Sequence, residues 1–151
     1  MDLKYRRATS NDLRDIVSLL IQDKLGQTRE SFSETLDPSY IEAFHNIDKD
    51  PNQYLMVVEN EGRVVGTCHL TLIPSLTFAG STRLQIEAVR VHPDCRGQRI
   101  GDYMIKEAIK YGQSHNAKIF QLTTNKQRPE ALKFYERLGF KSTHEGMKLY
   151  L

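Results

Sequence analysis

Arg96-Gly97-Gln98-Arg99-Ile100-Gly101 is the stretch from which the rest of this 151-residue chain can be read. Upstream, Leu84-Gln85-Ile86-Glu87-Ala88-Val89-Arg90-Val91 alternates as a strand does. Downstream, Ile100, Met104, Ile105, Ala108 and Ile109 recur at helical spacing. A strand therefore runs into a short turn that opens a helix. Unpaired N–H groups and the helix dipole at such a start attract an anion. Gly97 and Gly101 keep side chains away from backbone that a phosphate must approach, and Arg96 and Arg99 add positive charge. The turn is not a P-loop, because Asp102 follows Gly101, and it lacks the third glycine of a dinucleotide fingerprint. On these six residues alone, an ordinary strand-to-helix turn with solvated arginines fits equally well.

Composition narrows the class. The length suits one domain over residues 1–151, and 39% hydrophobic with 26% charged residues is a globular balance. A net charge of +2 is too small to argue for a nucleic-acid partner. Cys68 and Cys95 show no ligand pattern: Cys68 falls in an apolar run, and Cys95 adjoins the turn as a loop cysteine or a reactive thiol. His45, His69, His92, His115 and His144 lack metal-ligand spacing, so no metal is expected. No apolar leader or spanning run is evident, which points to a cytoplasmic protein without a membrane partner.

Periodicity supplies the element order. An edge strand over 3–8 precedes a helix capped by Thr9 or Ser10, with Leu13, Ile16, Val17, Leu20 and Ile21 on one face. Residues 26–37 read as a loop. Asp37-Pro38 starts a helix with Ile41, Phe44 and Ile47 on its apolar side. Strands follow at 54–58, 64–73 and 82–92, the first two joined by the turn Glu59-Asn60-Glu61-Gly62. After the helix that ends near Ser114 come a strand at 118–123, a helix at 129–138 and a last strand at 140–149. The order β-α-α-β-β-β-α-β-α-β predicts an α/β (α+β) fold with a mixed central sheet flanked by helices.

The turn resembles the acetyl-CoA pyrophosphate loop of the GNAT superfamily of N-acetyltransferases, Arg/Gln-x-x-Gly-x-Gly/Ala. Arg96 stands at its first position and Gly101 at its last, while Arg99 stands where Gly is usual. A second segment, from Asn125 through Ala131 and Phe134-Tyr135 to Gly139-Phe140, resembles the family's strand-end Asn, its Ala-bearing helix with a Phe-Tyr pair, and the Gly-Phe that follows. The resemblance is clearest over residues 54–150 and implies a GNAT-type acyl-CoA acyltransferase fold, in which two strands splay to admit the cofactor.

It also implies site roles. Glu87 is the expected general base for the amine, commonly through water; the competing reading is a sheet-surface charge. Tyr135 is the expected acid for the leaving thiolate, against a core aromatic. Val89 and Val91 would offer backbone groups to the pantetheine amides, and an N–H near Val89 would polarise the thioester oxygen. Arg96, Gly97, Gln98, Arg99, Ile100 and Gly101 would hold the pyrophosphate, and Asn125, Ala131 and Phe134 the pantetheine arm, with Phe134 equally a core residue. Arg128, Lys133 and Arg137 lie within reach of a 3′-phosphate, and none is singled out.

The implied reaction is direct attack of a primary amine on acetyl-CoA in a ternary complex. The ending Leu122-Thr123-Thr124-Asn125-Lys126-x-Arg128, with Thr143-His144, loosely resembles the aminoalkylphosphonate acetyltransferase branch, which implies a small-molecule amine acceptor. Acceptor contacts are expected from residues 22–48 and 72–82, among them Phe32, Tyr40, Phe78, Glu30, Glu34 and Asp37. A protein N-terminal or lysine acetyltransferase and a non-catalytic acyl-CoA-binding module remain alternatives. A homodimer is compatible with the resemblance.

Overall fold

A computed structural model describes residues 1–31 and 33–151; Phe32 lies outside the described residues. Two compact units are present, Met1–Gln121 and Leu122–Leu151.

The first unit is built on a five-stranded sheet in the order β1 (Leu3–Arg7), β2 (Gln53–Asn60), β3 (Arg63–Ile73), β4 (Thr82–Val91) and β5 (Ala117–Gln121). The first three pairings are antiparallel and β4–β5 is parallel, so the sheet is mixed as expected. The β2–β3 hairpin turns at Glu61 (φ 51°) and Gly62 (φ 79°), and two left-handed residues in succession match the right-handed twist of the flanking strands.

Alternation divides the sheet into two faces. Leu70, Leu72, Leu84 and Ile86 are buried on one, where α5 (Ile100–Ser114) packs on β3, β4 and β5 through Ile100, Met104, Ile105 and Ala108. On the other, Val57 and Leu55 pack with Leu13, Ile16 and Val17 of α1 (Leu13–Ile21) and Phe44 of α3 (Pro38–Asp48). The start of α1 is fastened to β1 by Arg6, whose guanidinium donates to Asp12 at 2.7 and 2.9 Å and to Glu59 at 2.6 Å. The same contact holds the Asp12 carboxyl below its ordinary range.

Two local expectations change, and the link between β3 and β4 gains a turn. Residues 26–29, expected in a loop, belong to α2 (Lys24–Arg29), which the Asp23 carboxylate caps by accepting the Gly26 N–H at 2.6 Å. Ile41 is exposed on α3, where Phe44 is buried, Ile47 is half-buried and Tyr40 packs against the core cluster. A short turn, α4 (Thr77–Gly80), carries Phe78 and Ala79 in the left-handed region between β3 and β4.

The second unit holds α6 (Pro129–Arg137). Gly139 (φ 97°) ends it: its N–H donates to Glu136 and that of Phe140 to Tyr135, a Schellman closure. No ladder forms over the expected strand 140–149. A strand needs a partner edge for its backbone groups, and Met147, Leu149, Tyr150 and Leu151 are exposed. Among the described residues no helix is long and apolar enough to cross a membrane.

Candidate active site

The strand-to-helix turn is held at both ends by buried side chains. Cys95 closes a short 3-10 turn (Pro93–Cys95), and Ile100 is 1% exposed at the start of α5. Between them Arg96, Gly97, Gln98 and Arg99 are exposed. Gly66 on β3 lies beneath the start of α5: a Cβ there would press on the Arg90 carbonyl oxygen of β4 at 3.3 Å and make ordinary contact with Ile100 Cγ2 at 3.6 Å. Gly97 (φ 77°) and Arg99 (φ 63°) both lie in the left-handed region, and alternation of left-handed with right-handed residues is how backbone N–H groups form an anion-binding concavity. The first intrahelical bond is Tyr103 N–H to the Arg99 carbonyl, so the N–H groups before it have no helical acceptor. Gly101 is half-buried in the first turn.

Arg99 occupies a conformation that L-residues avoid, at a cost of roughly 1–2 kcal/mol. Its side chain is 81% exposed and donates from Nε to Asp102 Oδ2 at 3.1 Å. Arg99→Gly should therefore change stability by less than about 1 kcal/mol, because relief of backbone strain is offset by the freer unfolded chain. It should not improve acetyl-CoA affinity, since the side chain does not crowd the turn. Paired urea and calorimetric titrations test this, and a substantially tighter complex in the variant would show that Arg99 obstructs the loop.

Glu87 and the two valines sit on β4 where its pairing changes. Glu87 is exposed and lies opposite His69 on β3. The register then moves from His69↔Glu87 to Thr67↔Arg90, so β4 carries one extra residue, with Ala88 at φ 51°. This is a β-bulge, which re-aims side chains and interrupts the ladder. On the other side, the parallel ladder with β5 stops at Gln85↔Gln121. Val89 and Val91 follow that point, both half-buried.

Composition and spacing did not single out His69. It is half-buried, and Gln53 Oε1 accepts its Nε2–H at 2.5 Å. That acceptor also takes the Thr71 hydroxyl at 3.0 Å, which sets the His69 tautomer with Nδ1 unprotonated. Burial holds its pKa below the ordinary 6.5, with the nearby Glu87 opposing. The folded state thus binds fewer protons than the unfolded one, so this contribution to stability is full above pH 6.5 and is lost as pH falls. His69→Gln should flatten the fall in melting temperature between pH 6.5 and 5, and an unchanged slope would refute the assignment. Burial pushes the Cys68 thiol up to about 12, and Cys95 is buried as well, contrary to an accessible reactive loop thiol.

In the second unit, Asn125 is exposed and its Oδ1 accepts the Gln127 N–H at 2.8 Å, a turn before α6. Ala131, Phe134 and Tyr135 are half-buried on α6. Tyr135 packs edge-on to Phe134 at 5.0 Å and to Phe140 at 5.9 Å, and the Arg137 guanidinium lies 5.5 Å from the Phe134 ring centre.

A family model described as the acetyltransferase (GNAT) family matches residues 18–140. Aminoalkylphosphonate N-acetyltransferase of Salmonella typhimurium is 29% identical over 142 residues, 93% of this chain and 86% of that protein. Among solved structures, a protein described as a transcriptional regulator from Bacillus halodurans C-125 is 44% identical, with a TM-score of 0.96 over 99% of both chains. The acetyltransferase fold recurs at lower identity: AAC(6')-Iy, solved with a CoA bisubstrate analogue, is 14% identical with a TM-score of 0.80 over 100% of this chain and 99% of its own. The chain belongs to the GNAT acetyltransferase family, enzymes that transfer an acyl group from acetyl-CoA.

Proposed function

We infer that the protein acetylates the primary amine of a small molecule. The reading treats residues 1–151 as one acetyltransferase domain acting in the cytoplasm. The observation that carries it is the position of Glu87, exposed beside the Ala88 bulge and on the strand that leads into the anion-cradling turn. In this reading the pyrophosphate rests on residues 96–101. The pantetheine amides meet the backbone near Val89 and Val91, and Asn125, Ala131 and Phe134 contact the arm. Glu87 takes the amine proton, the amine nitrogen attacks the thioester carbonyl carbon, and the C–S bond breaks. The thiolate then takes a proton from Tyr135. The likeness to an aminoalkylphosphonate N-acetyltransferase supports a small acceptor over a protein N-terminus or lysine. A homodimer remains part of the reading.

A second reading rests on the Bacillus halodurans relative's description as a transcriptional regulator: an acyl-CoA-binding module without turnover. A thermal titration with acetyl-CoA, free CoA and ATP, followed by CoA release with amines, separates the two. A ligand that binds only the folded state raises the melting temperature with its concentration. The expected result is a saturable shift with acetyl-CoA, little with ATP, and CoA release with 2-aminoethylphosphonate. A saturable shift with no turnover on any amine favours the module, and no shift removes both readings.

A further inference from the structure

One line of side chains across the sheet has no evident part in holding the fold. Gln53 on β2 is paired with Thr71 on β3, Thr71 with Gln85 on β4, and Gln85 with Gln121 on β5. All four are half-buried. Sheet faces that close a core are apolar, and faces left to water favour charged and β-branched residues. Three glutamines in one row fit neither. The core does not require them, because the alternate positions Leu70, Leu72, Leu84 and Ile86 are buried on the opposite face. On the row's own face, the apolar cluster formed with α1 and α3 reaches Leu55, one register step away.

The hydrogen bonds within the row orient its amides. Gln53 Oε1 accepts from Thr71 and His69, and Gln85 Oε1 accepts from Gln121 Nε2 at 2.8 Å. Both oxygens are thus engaged by the protein. The NH2 groups of Gln53 and Gln85 have no hydrogen-bond partner among the described residues, so two donors stand oriented in advance of any ligand. Burial of His69 disfavours a charge beside them. The row runs about 14 Å from β2 to β5 at ordinary strand spacing, the scale of a small molecule. Along β4 the order is Gln85, Glu87, the Ala88 bulge, Val91 and then the anion-cradling turn. Glu87 therefore lies between the turn and the row.

We propose that the row Gln53–Thr71–Gln85–Gln121 is the floor on which the acceptor lies, its amine directed at Glu87. The floor selects an amine whose body carries oxygen acceptors over an alkyl amine of similar size. This rests on the acetyltransferase reading above and adds the acceptor's chemistry to it.

The test measures CoA release by the full chain with three amines, 2-aminoethylphosphonate, glucosamine and n-hexylamine, for the wild type, Gln85→Leu and Gln53→Leu. The acetyl-CoA melting shift of each protein is recorded alongside. The wild type should prefer an oxygen-bearing amine over n-hexylamine by at least tenfold in kcat/KM. Each substitution should reduce that preference at least tenfold through KM, leaving the acetyl-CoA shift in place. The two substitutions lie on different strands, so misfolding of one leaves the other to decide. The proposal is overturned if the preference survives both substitutions or if n-hexylamine is the better substrate of the wild type. It is also overturned if neither oxygen-bearing amine is acetylated by a protein that shows the acetyl-CoA shift. An absent shift in the wild type instead refutes the donor reading, and the floor falls with it.

Discussion

Glu87→Gln is expected to lower kcat for acetyl transfer by roughly 10²–10⁴-fold, the usual contribution of a positioned general base. That loss corresponds to about 3–5 kcal/mol of barrier. Glutamine keeps the size and a hydrogen-bonding oxygen but cannot accept a proton at neutral pH. The acetyl-CoA melting shift should persist, because Glu87 is distinct from the turn at residues 96–101. KM for the amine should rise as well, since an exposed carboxylate attracts a cation. The defect should shrink at high pH, where more of the amine is already deprotonated. A loss of threefold or less at neutral pH would show that Glu87 is a sheet-surface charge, and a large loss that does not ease with pH would point to structural damage.

Gly112→Ala should destabilise the protein by about 2 kcal/mol, although helix propensity alone predicts the opposite sign. Alanine is favoured over glycine in a helix interior by about 1 kcal/mol. Here, however, a Cβ would lie 2.4 Å from Phe120 Cε1 and 3.1 Å from Leu84 Cδ2. Leu84 is fully buried and cannot give way, so the ring of Phe120 or the axis of α5 must move. Overpacking of this kind costs about 1–3 kcal/mol or more, which outweighs the propensity gain. For a chain of this length the melting temperature should fall by roughly 4–8 °C. The urea midpoint should drop with its slope unchanged. A tilt of α5 would also displace the turn at its start, so acetyl-CoA affinity should weaken in parallel. A stabilised variant would mean that α5 does not approach β4 and β5 as closely as the structure has it.

These two effects differ in how they could be foreseen. The place of Glu87 on the strand before the turn was legible because a strand, a glycine turn and a helix occur in direct succession, and local order of that kind is written in periodicity; its role as a base is what the family resemblance implies. The same holds for α5, for the Asp37-Pro38 start of α3, and for the Glu61-Gly62 hairpin, where each signal lies within a few residues of its effect. The clash at Gly112 was not legible. Leu84 is distant in the chain and Phe120 lies on the next strand, and the two stand side by side against it through the parallel pairing of β4 with β5. The alternation of His69 and Thr71 with Leu70 and Leu72 was visible in the sequence. What was not visible is that Gln53 would stand across from Thr71 and that His69 would stand opposite Glu87.

The sequence by itself determined the element order as far as α6, apart from α2 and α4, together with the mixed sheet and the places of the turn and of Glu87 on its strand, because periodicity and turn chemistry act over one or two turns of chain; the family was carried by the resemblance of its two motifs. Only the tertiary structure decided the cross-strand register, the Ala88 bulge and the burial that lowers the pKa of His69, and left residues 140–149 without a ladder. Each of these depends on a partner supplied by a distant part of the chain. A strand, a buried imidazole and a row of amides take their character from what lies across from them, and pairing between segments far apart in sequence is not encoded in any one of them.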